Sequence, residues 1–195
     1  MKYIIIIILT LTTFTACTSK PPGNPKVEIQ TQYGDIEMEL YPNQAPKSVA
    51  AFLSYVDAGY YKGTSFYRVL NEDNQPMGAS EVRLIQGGLW ATKSRNGLQI
   101  PNIPHETTRQ TGLLHKDGTL SLARQAPGTA SSEFFICIGD QPGFDFGGAS
   151  NVDGQGYAAF GMVTSGMDIV RKINRQPADG ELFNTPVFIK DIVRK

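Results

Sequence analysis

Apolar and polar residues alternate along the first part of the chain, as they do in a strand with one buried face. In VEIQTQYGDIEMELY (27–41) the apolar positions recur at every second residue on both sides of a Tyr-Gly pair, which predicts a β-hairpin. Short runs rich in β-branched and aromatic residues predict six more strands. These are TSFYRVL (64–70), EVRLIQGGL (81–89), TLSLAR (119–124), EFFICIG (133–139), YAAFGMV (157–163) and PVFIKDIV (186–193).

Two segments have the apolar spacing of a helix instead. In NQAPKSVAAFLSYVDAGYY (43–61), Pro46 suits the first helical turn and Gly59 suits a C-terminal cap. Between them the apolar residues recur at i, i+3, i+4 and i+7, namely at Val49, Phe52, Leu53 and Val56. The segment GMDIVRKI (166–173) predicts a second, shorter helix.

About eight strands, two helices and no alternation of strand with helix favour a mainly β fold. We expect a closed antiparallel eight-stranded barrel with two flanking α-helices. A chain of 195 residues suits one domain of this kind, to which we assign residues 27–195.

The N-terminal segment predicts a leader rather than part of the fold. MKYIIIIILTLTTFTAC combines one positive charge with a short apolar run and small residues before Cys17, which is typical of a signal peptide over residues 1–16. FTAC (14–17) resembles the lipobox of bacterial lipoproteins, which implies lipidation of Cys17 and a polar, Pro-rich tether over residues 17–26. We therefore expect a lipid anchor in the bacterial cell envelope, on the outer membrane facing the periplasm. Ordinary secretion is the alternative.

Charge and metal-ligating residues exclude several classes of function. The 18 basic and 18 acidic side chains balance, and no basic cluster stands out, so we expect no nucleic-acid partner. His105 and His115 lie apart in the sequence and form no metal motif, so we expect no metal. The chain also lacks a phosphate-binding loop motif, so we expect no cofactor.

Arg68 is out of place in its strand. Strict alternation puts Phe66, Arg68 and Leu70 on one face and Tyr67 and Val69 on the other. A guanidinium is costly to bury without a partner. Arg68 therefore belongs to a structural ion pair, lies at a barrel rim, or serves a function.

Two other strands also place polar groups beside apolar ones. In EVRLIQGGL, Leu84 and Gln86 share a face. In EFFICIG, one face carries Glu133, Phe135 and Cys137, as the wall of a cleft would, and the other carries a stripe typical of a core, Phe134, Ile136 and Ile138.

Five segments, in this order, resemble the cyclophilins, the cyclosporin-type peptidyl-prolyl isomerases. They are FYRV (66–69), QGG (86–88), LAR (122–124), SEFFI (132–136) and FGMV (160–163). The corresponding family patterns are Phe-His-Arg-Val, Gln-Gly-Gly, Met-Ala-Arg or Met-Ala-Asn, Ser-Gln-Phe-Phe-Ile and Phe-Gly-x-Val. The resemblance extends from about Val27 to the C-terminus.

The resemblance implies an enzyme that accelerates rotation about X-Pro bonds in proline-containing polypeptides. Arg68 would donate a hydrogen bond to the prolyl nitrogen in the twisted transition state, and Gln86 would orient Arg68 or hold the substrate backbone. The resemblance places four residues around the proline pocket and adds Ala123, Arg124 and Glu133 to the substrate site, with Arg124 offering backbone groups. The pocket residues are Leu84, Phe135, Phe144 and Tyr157.

The chain departs from the family pattern at several positions. About ten residues, NEDNQPMGAS (71–80), lengthen the turn between Arg68 and Gln86, and Arg83 lies at or beside the position of a customary aromatic residue.

Glu133 replaces the customary Gln, and we expect it to pair with Arg68 or Arg124, to favour cationic substrates, or to be a simple rim charge. Trp90 is expected to be a packing residue. Gly143 matches the position of a drug-contacting Trp, which predicts weak cyclosporin binding.

The main alternative to an enzyme is a non-catalytic module or chaperone that binds proline-containing segments in the same groove. The altered loop and Glu133 leave room for this reading, whereas Arg68 and Gln86 favour the enzyme. A carbohydrate-binding barrel has little support, because the sequence shows no aromatic platform. A monomer is the default expectation.

Overall fold

The computed structural model describes residues 23–76, 81–90 and 99–195. The strands are β1 (Lys26–Thr31), β2 (Gly34–Leu40), β3 (Thr64–Leu70), β4 (Leu84–Gly88), β5 (Thr119–Leu122), β6 (Phe134–Cys137), β7 (Ala158–Ser165), β8 (Ala178–Asp179) and β9 (Leu182–Arg194). The helices are α1 (Pro46–Asp57), α2 (Thr108–Thr111) and α3 (Met167–Asn174).

Eight of the strands close into an antiparallel barrel. They pair in the order β1-β2-β7-β5-β6-β4-β3-β9, and β1 pairs with β9 to complete the ring. Among the strands that the structure describes, the two-residue strand β8 pairs only with β9 and lies outside the barrel. The predicted fold class is confirmed, and every predicted strand forms.

The structure adds elements that the sequence pattern did not predict. α2 lies in a stretch without apolar periodicity and begins with a capping box between Thr107 and Gln110. β9 begins at Leu182, four residues before the predicted start at Pro186. β1 begins at Lys26, the last residue that the sequence analysis assigned to the tether.

The barrel interior is filled by the apolar faces of the strands. Ile29, Phe134 and Phe160 are fully buried there, and Phe52 of α1 packs against Phe134 and Phe160 with ring centroids 5.6 and 5.2 Å apart. β6 alternates as expected, since Phe134 and Ile136 belong to this core whereas Phe135 and Cys137 face away from it. The predicted core stripe is confirmed.

A carboxylate far along the chain holds the N-terminus of α1. Ala45, at the cap position, has no side-chain hydrogen bond to offer. Glu106 accepts hydrogen bonds there from the backbone N–H groups of Lys47 (3.1 Å) and Ser48 (2.8 Å) and from the Ser48 hydroxyl (2.7 Å).

β3 does not alternate as expected, because it contains a β-bulge. From Phe66 to Arg68 the chain takes two steps along β3 for one step along β4, so that Tyr67 is the extra residue in this pair. The pairing with β9 shifts register at the same place. Phe66 and Val69 belong to the core, whereas Tyr67, Arg68 and Leu70 line a cleft on the outside of the barrel. The prediction that Phe66 shares a face with Arg68 is therefore wrong.

The predicted leader, Cys17 and most of the predicted tether lie outside the described residues, as do residues 77–80 of the lengthened turn. Among the residues that are described, no helix has both the length and the apolar character needed to cross a membrane.

Candidate active site

The cleft has a volume of about 1110 Å³ and is bordered by β3, β4, the end of β5 and the start of β6. All nine residues that the sequence analysis assigned to the substrate or catalytic site lie on it. They are Arg68, Leu84, Gln86, Ala123, Arg124, Glu133, Phe135, Phe144 and Tyr157. The topology explains this, because β4 lies between β3 and β6 and brings Arg68, Gln86 and Phe135 onto adjacent strands.

The Arg68 guanidinium is held from two sides. Nη1 donates to Oε1 of Gln86 at 2.8 Å. Nε and Nη2 both lie 2.8 Å from Oε2 of Glu181, in the turn between β8 and β9. The side chain of Arg68 is 31 % exposed, so a ligand in the cleft can still reach it. The ion pair considered from the sequence therefore exists, alongside the expected contact with Gln86.

Next to Arg68 lies an apolar pocket with an aromatic wall. Leu84, Phe135 and Phe144 are buried in one cluster outside the barrel core. The rings of Phe135, Phe144 and Tyr157 meet edge to face, with centroids 5.1 to 5.4 Å apart. Aromatic rings favour this arrangement, which fixes their positions. The pocket is therefore apolar, with a fixed aromatic wall, and suits a small apolar group.

Arg124 uses its side chain to secure the loop that carries Tyr157. Its guanidinium donates to both carboxylate oxygens of Asp153 (2.7 and 2.9 Å) and twice to the Gly156 carbonyl oxygen (2.9 and 2.6 Å), and it lies 5.3 Å from the Tyr157 ring centroid. The hydrogen bonds from Arg124 lower the pKa of Asp153 to about 2. The Arg124 side chain is therefore committed to this loop, which leaves its backbone for a ligand.

Among the residues that the structure describes, Glu133 pairs with no arginine. Oε2 accepts a hydrogen bond from the Tyr67 hydroxyl at 2.7 Å. Oε1 accepts from the backbone N–H groups of Leu89 (2.8 Å) and Trp90 (2.9 Å) and from the Ser132 hydroxyl (3.0 Å). Burial raises the pKa of Glu133, and these hydrogen bonds oppose the rise. The expected pairing with Arg68 or Arg124 is wrong, because the bulge turns Tyr67 into the cleft and interposes its hydroxyl.

The comparisons with known proteins agree with this geometry. Residues 26–194 match the model of the family described as cyclophilin type peptidyl-prolyl cis-trans isomerase/CLD. The chain belongs to the cyclophilin family. It is accordingly a peptidyl-prolyl cis-trans isomerase.

Relatives from two bacteria show how close the match is. A peptidyl-prolyl cis-trans isomerase of Acinetobacter baylyi is 40 % identical over 156 residues, which is 80 % of this chain and 74 % of the relative. Peptidyl-prolyl cis-trans isomerase B of Escherichia coli is 36 % identical over 148 residues, which is 75 % of this chain and 82 % of the relative.

The fold also matches solved cyclophilins. A cyclophilin-type isomerase of Cryptosporidium parvum superimposes with a TM-score of 0.69 at 26 % identity, covering 88 % of this chain and 98 % of the other. A structure of the same protein in the presence of the dipeptide Ala-Pro gives a TM-score of 0.67, covering 87 % and 98 %.

Sequence reasoning missed several residues of this cyclophilin cleft. Tyr67 enters it only because of the bulge, and Glu181 reaches Arg68 from 113 positions away in the sequence. Val82 lines the cleft. Arg83, which lies at or beside the position of the customary aromatic residue, pairs instead with Glu81 at 2.6 Å. None of these contacts has a signal in local hydrophobic spacing.

Trp90 corrects a further expectation. It is 57 % exposed rather than packed inside, and its ring lies 5.2 Å from that of Tyr67 at the cleft.

The lengthened turn also reaches the cleft. Gln75 lines it, and the Gln75 side chain donates to the carbonyl oxygens of Asn71 (2.6 Å) and Val82 (2.7 Å), which ties the two ends of the turn together.

Proposed function

We propose that this cyclophilin accelerates X-Pro rotation by a hydrogen bond from Arg68 to the prolyl nitrogen of a twisted substrate. An amide loses its resonance when it is twisted, and its nitrogen then gains a lone pair that can accept a hydrogen bond. A donor placed beside that nitrogen stabilises the twisted form more than either planar form, which lowers the barrier. Arginine suits this role because it is always charged and only donates.

The observation that carries the proposal is the position of Arg68. Its guanidinium is fixed by Gln86 and borders, in the same cleft, a pocket walled by Phe135, Phe144 and Tyr157. A prolyl ring has no polar group to satisfy, so an apolar pocket is the site that suits it. With the ring in that pocket, the prolyl nitrogen lies toward the Arg68 side of the cleft.

The substrates are proline-containing segments of polypeptides. The solved relative in the presence of Ala-Pro supports this class of ligand. A refolding assay tests the mechanism on a protein substrate whose slow phase is limited by proline isomerisation. The wild-type chain is expected to shorten that phase, and Arg68→Ala is expected to leave it at the uncatalysed rate. Equal acceleration by both proteins would rule out Arg68 as the catalytic donor.

The place of action is the bacterial cell envelope. Residues 1–16 act as a signal peptide, Cys17 carries the lipid, and the client proteins are envelope or secreted proteins, with the anchor in the outer membrane facing the periplasm. The support is the sequence pattern around Cys17. Metabolic labelling with a radioactive fatty acid, followed by membrane fractionation, tests this. Wild-type protein is expected to carry label in the outer membrane, and Cys17→Ser is expected to carry none. Label on both proteins, or on neither, would contradict the anchor.

Cyclosporin is expected to bind weakly. The position that the family resemblance assigns to a drug-contacting Trp is Gly143, where even a Cβ atom would lie 2.4 Å from Ser150 Oγ. Titration with cyclosporin in the isomerase assay checks this, and tight inhibition would contradict it.

A further inference from the structure

A chain of hydrogen bonds between side chains connects Arg68 to Glu133. Nη1 of Arg68 donates to Oε1 of Gln86 at 2.8 Å, and Nε2 of Gln86 donates to the Tyr67 hydroxyl at 2.8 Å. The hydroxyl in turn donates to Oε2 of Glu133 at 2.7 Å. Tyr67 and Glu133 stand where the family pattern has His and Gln, so two departures from that pattern are in direct contact.

The chemistry of the two ends fixes the direction of every bond in this chain. Arg68 only donates, so Gln86 must present its carbonyl oxygen to Arg68 and its N–H group to Tyr67. Tyr67 then accepts from Gln86 and needs an acceptor for its own hydrogen. An ionised carboxylate only accepts, so Glu133 supplies that acceptor. Glu133 is itself held at Oε1 by the N–H groups of Leu89 and Trp90.

We infer that Glu133 and Tyr67 are positioning residues, which hold Gln86 with its carbonyl oxygen toward Arg68 and so fix the catalytic donor. This inference rests on the proposed role of Arg68. Neither residue acts on the substrate in this arrangement, because both act through Gln86.

The arrangement explains what a carboxylate does here that an amide does not. With Gln at position 133, the amide oxygen would stay with the Leu89 and Trp90 N–H groups, and the amide nitrogen would face the Tyr67 hydroxyl. The hydroxyl would then have donors on both sides and no acceptor for its own hydrogen. Alternatively, Gln86 would turn over and direct N–H groups at Arg68. Either outcome loosens the guanidinium.

Protonation of Glu133 should loosen the Arg68 guanidinium, as the substitution Glu133→Gln should. Within the described part of the chain, the titratable groups that face Glu133 are Tyr67 of β3 and Tyr61, which donates to the Ser132 carbonyl oxygen at 2.9 Å. Arg68 is linked to it through Tyr67 and Gln86. Burial raises the pKa of Glu133, so we expect activity to fall on acidification at a higher pH than an exposed glutamate would give.

The experiment measures kcat and KM for an Ala-Pro peptide with full-length proteins. These are wild type, the single variants Glu133→Gln, Glu181→Gln and Tyr67→Phe, and the double variant that combines Tyr67→Phe with Glu133→Gln. Glu181→Gln is the matched control, because it also removes one negative charge near Arg68 but leaves Gln86 alone. Glu133→Gln is expected to lower kcat about tenfold with little change in KM, as when one hydrogen bond to a charged group is lost. Glu181→Gln is expected to lower kcat less than about threefold, because the amide oxygen of this variant can still accept from the Arg68 guanidinium and the pair is partly exposed. In the Tyr67→Phe background, Glu133→Gln should add less than about twofold.

A second measurement follows kcat as a function of pH and compares variants with and without a titratable carboxylate at position 133. The pH profile of kcat in Glu181→Gln is expected to retain an acid limb, and the Glu133→Gln profile is expected to lack it. The inference would be overturned by a wild-type kcat in Glu133→Gln, by equal losses in Glu133→Gln and Glu181→Gln, or by the absence of an acid limb from the Glu181→Gln profile. Arg68→Ala distinguishes failure of the proposed mechanism from failure of the positioning role alone. If it keeps full activity, the proposed mechanism fails; if it is inactive while Glu133→Gln is normal, only the positioning role fails.

Discussion

Glu106 is expected to stabilise the fold by capping α1 from outside the helix. Glu106 is 7 % exposed, and Ser48, which donates two of the hydrogen bonds to its carboxylate, is fully buried. Three hydrogen bonds converge on it, two of them from free N–H groups of the first helical turn. These groups have no partner within a helix, and they carry the positive end of its dipole. We therefore expect Glu106→Gln to destabilise the protein although it preserves the shape of the side chain.

The size of the effect follows from the contacts. Loss of the charge beside the helix N-terminus costs about 0.3–1 kcal/mol. The amide nitrogen would also face an N–H or hydroxyl donor, and leaving a buried donor unsatisfied costs about 1–3 kcal/mol. Together these give a loss of about 2 kcal/mol in the free energy of unfolding. For a domain of this size that corresponds to a fall in Tm of about 4–8 °C.

Thermal unfolding followed by circular dichroism measures this. Glu72→Gln is the control, because its side chain is 69 % exposed and lies 3.7 Å from Arg83, so its Tm should stay within about 2 °C of wild type. No residue of α1 is among the described residues that line the cleft, so Glu106→Gln should keep normal kcat at low temperature. A wild-type Tm in Glu106→Gln would refute the capping role.

Three further outcomes are expected. Phe144→Leu should raise KM for an Ala-Pro peptide about fivefold with a smaller change in kcat, because it removes apolar contact from the pocket wall; steady-state kinetics would contradict this if kcat fell more than KM rose. Since the Arg124 hydrogen bonds lower the pKa of Asp153 to about 2 from an ordinary 3.8, the stability that this group contributes is present above about pH 4 and is lost as the pH falls toward 2. Wild type should therefore lose Tm more steeply over that range than Asp153→Asn, and parallel curves would show that the pair contributes nothing. Burial raises the pKa of the Cys137 thiol, so in a Cys17→Ser background a thiol reagent should label Cys137 only on unfolding, and rapid labelling of the folded protein would contradict its burial.

Local spacing was enough to predict the eight barrel strands, the helices α1 and α3, and one wall of the cleft. The alternation in EFFICIG separated Phe134 and Ile136 from Phe135 and Cys137 correctly, because β6 is regular and each face meets a different environment. The apolar spacing of α1 was likewise sufficient. The order of the strands around the barrel was not predicted, since spacing alone does not specify which strands pair.

Features that depend on distant contacts could not be predicted in this way. The bulge at Tyr67 is set by pairing with both β4 and β9, and it moves Phe66 into the core. Glu133 was assigned an arginine partner because charge is visible in a sequence, whereas a tyrosine hydroxyl and two N–H groups turned toward it are not. Glu181 meets Arg68 only once the barrel has closed.

The most direct test of the account is the cis-to-trans rate of a short Ala-Pro peptide with wild-type protein and with Arg68→Ala. Removing a donor that acts in the transition state should lower kcat about 10²–10³-fold. Arg83→Ala is the matched control, since Arg83 is a neighbouring surface arginine paired with Glu81, and it should retain activity within about twofold. A collapse confined to Arg68→Ala is the result that the account predicts. Activity of a folded Arg68→Ala within about tenfold of wild type would contradict it, because no donor effect of the expected size would then come from Arg68.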